Sequence, residues 1–165
     1  MMKVSFKGDY KNILTFQDKV TVVTLTGKVV VELEHIPHHI WTWAFEHPSV
    51  DISVTYNGGN ENWILKASGK SKCHSKDVPN AAIGKRIAES KAKIKIYKFM
   101  HTLCHKLYEY YYEIALGDHY GVQIIEVGNY LHGKYQFGGI FRDMSKYQGL
   151  LIKESHHLGE LIKNL

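Results

Sequence analysis

Between Pro79 and Gly117 apolar residues recur at helical spacing, and no other feature of the chain constrains the fold as strongly. Ile83, Ile87, Ile94, Tyr97, His101, Cys104, Tyr108 and Tyr111 follow steps of three and four, broken only between Ile87 and Ile94. Asp77 is placed to cap this helix, Pro79 suits its first turn, and Gly117-Asp118 suits its end. At roughly 1.5 Å per residue such a helix is about 55 Å long. Leu103, Leu107, Tyr110 and Ile114 widen the stripe, so the second half belongs in a core or an oligomer interface. Lys91, Lys95, Lys98, Thr102, His105, Lys106 and Glu109 take the polar side.

The segments before the helix read as strands. Val20–Leu25 and Lys28–Glu34 are rich in β-branched residues, and Thr26-Gly27 between them is a two-residue hairpin signal. Val50–Tyr56 and Asn62–Ala67 flank Asn57-Gly58-Gly59-Asn60, which predicts a second hairpin with a longer loop. The connection between the hairpins is aromatic and His-rich, and Trp41 and Trp43 would share one side if it were extended. After the helix, Tyr120–Val127 and Lys134–Arg142 are strand candidates. Ser145–Asn164 reads as an amphipathic helix interrupted by Gly149 and Gly159. The sum is α+β: an antiparallel sheet of hairpins packed on one long central helix, with a second helix at the C-terminus.

At 165 residues the expectation is a single domain spanning 1–165. Two cysteines, Cys73 and Cys104, are too few for a disulfide framework. No apolar run is long enough for a membrane span, and MMKVSFKGDYKN does not read as a signal peptide. These features predict a cytoplasmic protein with no membrane partner.

Charge is unevenly distributed. The 41 residues from Lys66 to Lys106 hold eleven Lys/Arg and two acids, a net of +9, while the remainder carries −4. A field this concentrated points to a phosphate-bearing partner, either a small molecule or a nucleic acid. Lys70 and Lys72 at the strand end, with Lys85, Arg86 and Lys93 in the first helical turns, could form a phosphate cradle at the helix start. The alternative is a solvated Lys-rich helix face. Lys66, Lys70 and Lys72 share a face only if their strand continues.

Other constellations are weaker. His35, His38 and His39, and His101 with Cys104 and His105, have spacings that can hold zinc, but no complete ligand set follows them. A metal-dependent hydrolase built on these histidines is therefore a minor alternative, and no cofactor is expected. Cys104 lies on the apolar stripe and reads as a core residue. No phosphate-loop motif and no complete catalytic set is present, so catalysis is not expected. Tyr97, Tyr135 and Phe137, with Arg142 beside Phe141, are candidates to stack on a base, the alternative being plain packing.

The run Cys73…Asp77…Gly84-Lys85-Arg86-Ile87-Ala88-Glu89-Ser90-Lys91-Ala92-Lys93, following a β-hairpin, resembles a group of small phage-encoded proteins. In that group a strand ends near a Cys and leads to a helix with a GxxIAxxxA-like motif. Some of these resemble anti-Thoeris sponges, which sequester cyclic ADP-ribose-type signals without cleaving them. The likeness covers roughly 25 of the 165 residues. His74-Ser75-Lys76-Asp77 replaces the group's acidic segment, and Lys91 stands where Arg is usual. The resemblance implies a counter-defence binding protein of phage or mobile-element origin, acting in the host cytoplasm as a homo-oligomer. It marks Lys85, Arg86, Lys91 and Lys93 as ligand-binding positions. A different expectation is a module that uses its basic helix and Tyr-rich surface to block an acidic host defence protein.

Overall fold

The computed structural model describes residues 2–14, 19–31, 38–46, 52–57, 62–74, 80–117 and 137–165. Strands β1 (Met2–Leu14), β2 (Lys19–Val31), β3 (Ile52–Asn57) and β4 (Asn62–Lys72) form one antiparallel sheet in the order β1-β2-β4-β3. Helices α1 (His38–Phe45), α2 (Ala81–Gly117) and α3 (Phe137–Lys163) accompany it. The protein is α+β, with the long central helix and the C-terminal helix that the apolar spacing predicts.

The first hairpin is not where Thr26-Gly27 suggests. These two residues lie inside β2, where Thr26 pairs with Lys7 and Lys66, and Gly27 with Phe6 and Leu65. Ladders on both sides satisfy their backbone groups, so the Val- and Thr-rich segment continues through the glycine. The partner that makes this possible is β1, whose own sequence, with charged residues scattered through it, is a weak strand signal.

Alternation along the inner strands divides the sheet into two faces. Trp63, Leu65, Ala67 and Gly69 of β4, with Val23, Leu25 and Val29 of β2, are buried. Ile52 and Val54 of β3 pair with Ala67 and Leu65 and pack against that core. Gly69 identifies this as the helix face, because a Cβ there would run into the backbone of Ala88 and Ala92 in α2.

Helix α2 begins at Asn80, whose side-chain Oδ1 accepts the Ile83 N–H at 3.1 Å. Asp77 and Pro79, expected to serve there, lie outside the described residues. The helix is buried on two sides. Ala88 and Ala92 allow close approach to β4, and Ile96, Phe99, Met100, Leu103 and Leu107 complete the core. The other side meets α3. Ser90 fills the gap between Ile87 and Ile94 in the apolar stripe: it is 2 % exposed and donates a 2.7 Å hydrogen bond to Glu154 of α3. Counting Ser90, the seam repeats without a break at Ile83, Ile87, Ser90, Ile94, Tyr97, His101, Cys104 and Tyr108. Ile140, Met144, Tyr147 and Leu151 answer it from α3 at the same spacing.

Helix α1 occupies the His-rich connection, and its helical turn sends its tryptophans apart instead of to one side. Trp41 meets Trp63 of β4 with ring centroids 4.6 Å apart, and Trp43 stacks on Phe99 of α2 at 5.1 Å. Helix α3 starts earlier than the sequence pattern suggests. Residues 137–142, expected to end a strand, are its first turns, whereas 134–136 and Tyr120–Val127 lie outside the described residues.

Gly149 and Gly159 do not interrupt α3, and a Cβ at either would meet nothing within 4 Å. Alanine at these positions removes backbone entropy from the unfolded chain without a clash. Each substitution is expected to stabilise by about 0.5–1 kcal/mol. A thermal melt of Gly149→Ala/Gly159→Ala should rise by a few degrees; an unchanged or lower midpoint would mean that the glycines serve a close approach.

Candidate anion-binding face and edge of the sheet

Strand β4 continues to Lys72, so Lys66, Lys70 and Lys72 do share one face, the one opposite the helices. All three are exposed. Lys28 of β2 joins them: it pairs with Ile64, which places it diagonal to Lys66, about 7–8 Å away between backbones. On β2, β3 and β4 the neighbouring positions are hydroxyl-bearing or small and apolar, while the register places Asp9 of β1 opposite Thr24 on the same side. Thr24 and Ser68, directly opposed, lie 3.0 Å apart oxygen to oxygen. Val20, Val22, Thr26, Ile64, Ser53 and Thr55 complete the outward side chains described on β2, β3 and β4. None of them is a carboxylate, and none is aromatic.

The edge of β4 beyond β3 adds two more cations. β3 pairs with β4 only up to Ile52↔Ala67. The Cys73 N–H donates to the Lys19 carbonyl at 3.1 Å, so odd-numbered residues of β4 bond to β2. Carbonyls of the even residues Ser68 and Lys70 therefore point the other way, to the side on which β3 pairs with β4. Lys95 reaches over from α2 to donate to the Ser68 carbonyl at 2.6 Å, and Lys91 donates to that of Lys70 at 3.1 Å.

The remaining expected ligand positions are elsewhere. Lys85 and Arg86 are exposed in the first turns of α2, where Gly84 lies over Thr21 and Ser71 on the helix face of the sheet. They are six and five residues from Lys91, which turns them roughly 120–140° away from it around the helix. Lys93 points to the α3 side, 3.4 Å from Glu89. Burial alone would lower its pKa, but Glu89 and Glu154 outweigh that and hold it above the ordinary lysine value. Lys70 and Lys72 are separated from Lys85 and Arg86 by the sheet itself, so these residues form two groups and not one cradle.

Tyr97 is buried in the seam with α3, where burial, and after it the charge of Glu154, raise its pKa against the pull of Lys93. Its ring is not presented to a ligand. Arg142 is exposed on α3, Phe137 opens that helix, and Tyr135 lies outside the described residues. Lys66, Lys28 and Lys95 are the residues that local reasoning left off the site. Strand alternation could have supplied the first; the others depend on register between distant segments.

His101 and His105 lie on consecutive turns with rings 6.3 Å apart, and His105 faces Glu109 at 3.6 Å. Among the described residues no three His, Cys, Asp or Glu side chains come together in a way that could hold a metal. Cys104 is buried, and that burial, with Asp143 nearby, drives its thiol pKa far up, so it is not a thiolate nucleophile at neutral pH. A shallow groove of about 540 Å³ beside α1 is lined by His38, Trp41, Thr42, Phe45 and Glu46, with no lysine among the described lining residues.

No family model, no curated protein and no solved structure matches this chain. Among the described residues no helix is long and apolar enough to cross a membrane.

Proposed function

We propose that this protein binds phosphate-bearing partners without chemically altering them, and that the backbone of a nucleic acid is the ligand that suits it best. The observation carrying this reading is the outward face of the sheet, where Lys28 of β2 and Lys66, Lys70 and Lys72 of β4 are exposed on one side. Lysines spread along one strand face can each meet a separate charge, so such a face suits a partner with several regularly spaced charges. An open face also suits an extended polyanion better than a single nucleotide, which needs enclosing walls to bury its base.

The absence of described aromatic side chains on that face adds a second feature. A base has nothing to stack on there, so contacts fall on phosphates, and these carry no sequence information. Binding is then tolerant of sequence and accepts a duplex, whose charge density is the higher. The narrower reading carried by the resemblance, a counter-defence protein that sequesters a nucleotide signal, uses the same attraction for phosphate on a smaller ligand.

Fluorescence anisotropy of a short labelled duplex across a salt series tests this reading. With about four phosphate contacts the affinity should fall roughly a hundredfold between about 50 and 200 mM salt. Unrelated sequences should bind alike. Absence of binding at the lowest salt overturns the reading. Saturation by a cyclic nucleotide at concentrations where the duplex does not bind would replace it with the signal-sequestering one.

A further inference from the structure

We propose that α3 carries a second interface, through which two copies of this chain pair as an antiparallel helix dimer. One side of α3 is occupied by α2, where Ile140, Met144, Tyr147 and Leu151 pack. Roughly a third of a turn round, a second row recurs at steps of four and three: Phe141, Ser145, Gln148, Ile152, Ser155, Gly159 and Ile162. That is the rhythm of a helix seam. Phe141, Ile152 and Ile162 are 51, 64 and 50 % exposed, and a Cβ on Gly159 would meet nothing within 4 Å. Single exposed apolar side chains are ordinary, but three on one periodic, uncharged row mark a contact surface. The exposed charges Arg142, Lys146, Lys153 and Glu160 gather on another side of the helix.

A second copy is the occupant because the row is complementary to its own reverse. Turned end for end about a two-fold axis at Leu150, Phe141 of one copy comes opposite Gly159 of the other, Gln148 opposite Ile152, and Ser145 opposite Ser155. The largest side chain thus meets the smallest, which lets the helices approach closely. A parallel pair would instead set Phe141 against Phe141 and leave a gap at Gly159. Charge agrees with the antiparallel choice: Arg142 of one copy falls within two residues of the level of Glu160 of the other, on the same edge of the row. The helix dipoles then also run in opposition. From Phe141 to Ile162 the row is about 33 Å long and one helix wide, less than the about 800 Å² per partner of a standard interface, so the dimer should dissociate on dilution. Because α3 packs on the helix side of the molecule, pairing leaves the basic sheet face of each copy open. The inference does not depend on what those faces bind.

Sedimentation velocity of the full chain, from micromolar to near-millimolar concentration, tests this. The expected result is a shift from monomer to dimer over that range. Ile152→Glu should weaken self-association about a hundredfold, since both copies lose an apolar contact and gain a charge at the seam. Lys153→Gln, on the charged side of the same turn, should associate like the parent. Ile152 is exposed, so a thermal melt should show the variant folded. Cross-linking reads the orientation. In a Cys73→Ser background, Phe141→Cys and Gly159→Cys proteins should form disulfide-linked dimers when mixed under mild oxidant, and neither should do so alone. A chain that stays monomeric throughout overturns the proposal, as does a dimer indifferent to a folded Ile152→Glu. Linking of either cysteine variant to itself, or no linking of the mixture, overturns the antiparallel register. Duplex binding enters neither readout, so the nucleic-acid reading can fail without touching this one.

Discussion

Gly69→Ala is expected to cost about 3 kcal/mol of stability, the upper end of what overpacking one methyl group does. A Cβ at residue 69 would stand 2.7 Å from the Ala92 nitrogen and closer still to the Ala88 carbonyl oxygen. Both are backbone atoms in the middle of a 37-residue helix, so neither can swing aside as a side chain would. Relief requires α2 to lift from the sheet. That movement would loosen the contacts that bury Leu65, Trp63, Ile96 and Phe99, all 2 % exposed or less. Domains of this size have about 5–15 kcal/mol in all, so the variant should lose a large part of its margin. Urea denaturation measures it as a lower midpoint at unchanged slope. Ala88→Gly should not rescue it, because the obstructing atoms remain. If Gly69→Ala were as stable as the parent, α2 would not be seated on β4 as described.

This helix–strand contact also shows how much of the fold could be read in advance. The stripe from Ile83 to Tyr111 announced α2 because both of its apolar sides repeat at helical spacing. The gap at Ser90 looked like a break. It is a polar layer, legible only once Glu154 of α3 is brought opposite. Thr26-Gly27 was misleading for a related reason: local turn chemistry gave way to pairing with β1 and β4, whose residues are 19 and 40 positions from their partners Thr26. The basic surface divided in the same way. Lys66, Lys70 and Lys72 alternate along one strand, so their common face follows from sequence once the strand is long enough. Lys28 joins them through register, and Lys91 and Lys95 through the path of α2 across the sheet. Neither relation is encoded at short range. Tyr97 belonged to the α2 stripe from the outset, and its burial there is what that stripe required.

Reversing the outward charges should have the largest effect on binding. Lys66→Glu/Lys70→Glu/Lys72→Glu removes three cations from one face and puts three carboxylates in their place. A single charge-assisted phosphate contact worth about 1.4 kcal/mol is a factor of ten, so three should cost about a thousandfold before the added repulsion is counted. Stability should change little, since all three side chains are exposed and solvent screens their mutual interactions. This separation of effects distinguishes a binding surface from a structural one. Anisotropy of the labelled duplex at low salt, paired with a thermal melt, reads both quantities. A folded triple variant that binds like the parent would remove the sheet face from the ligand's path.

The location of the ligand is the heart of the account, and residue-level nuclear magnetic resonance reads it directly. Isotope-labelled protein titrated with a short duplex should show amide shifts at Lys28 and along Lys66–Lys72. The groove beside α1 and the outer side of α3 should stay unchanged. Shifts confined to His38–Glu46 or to α3, with the β4 residues silent, would contradict it.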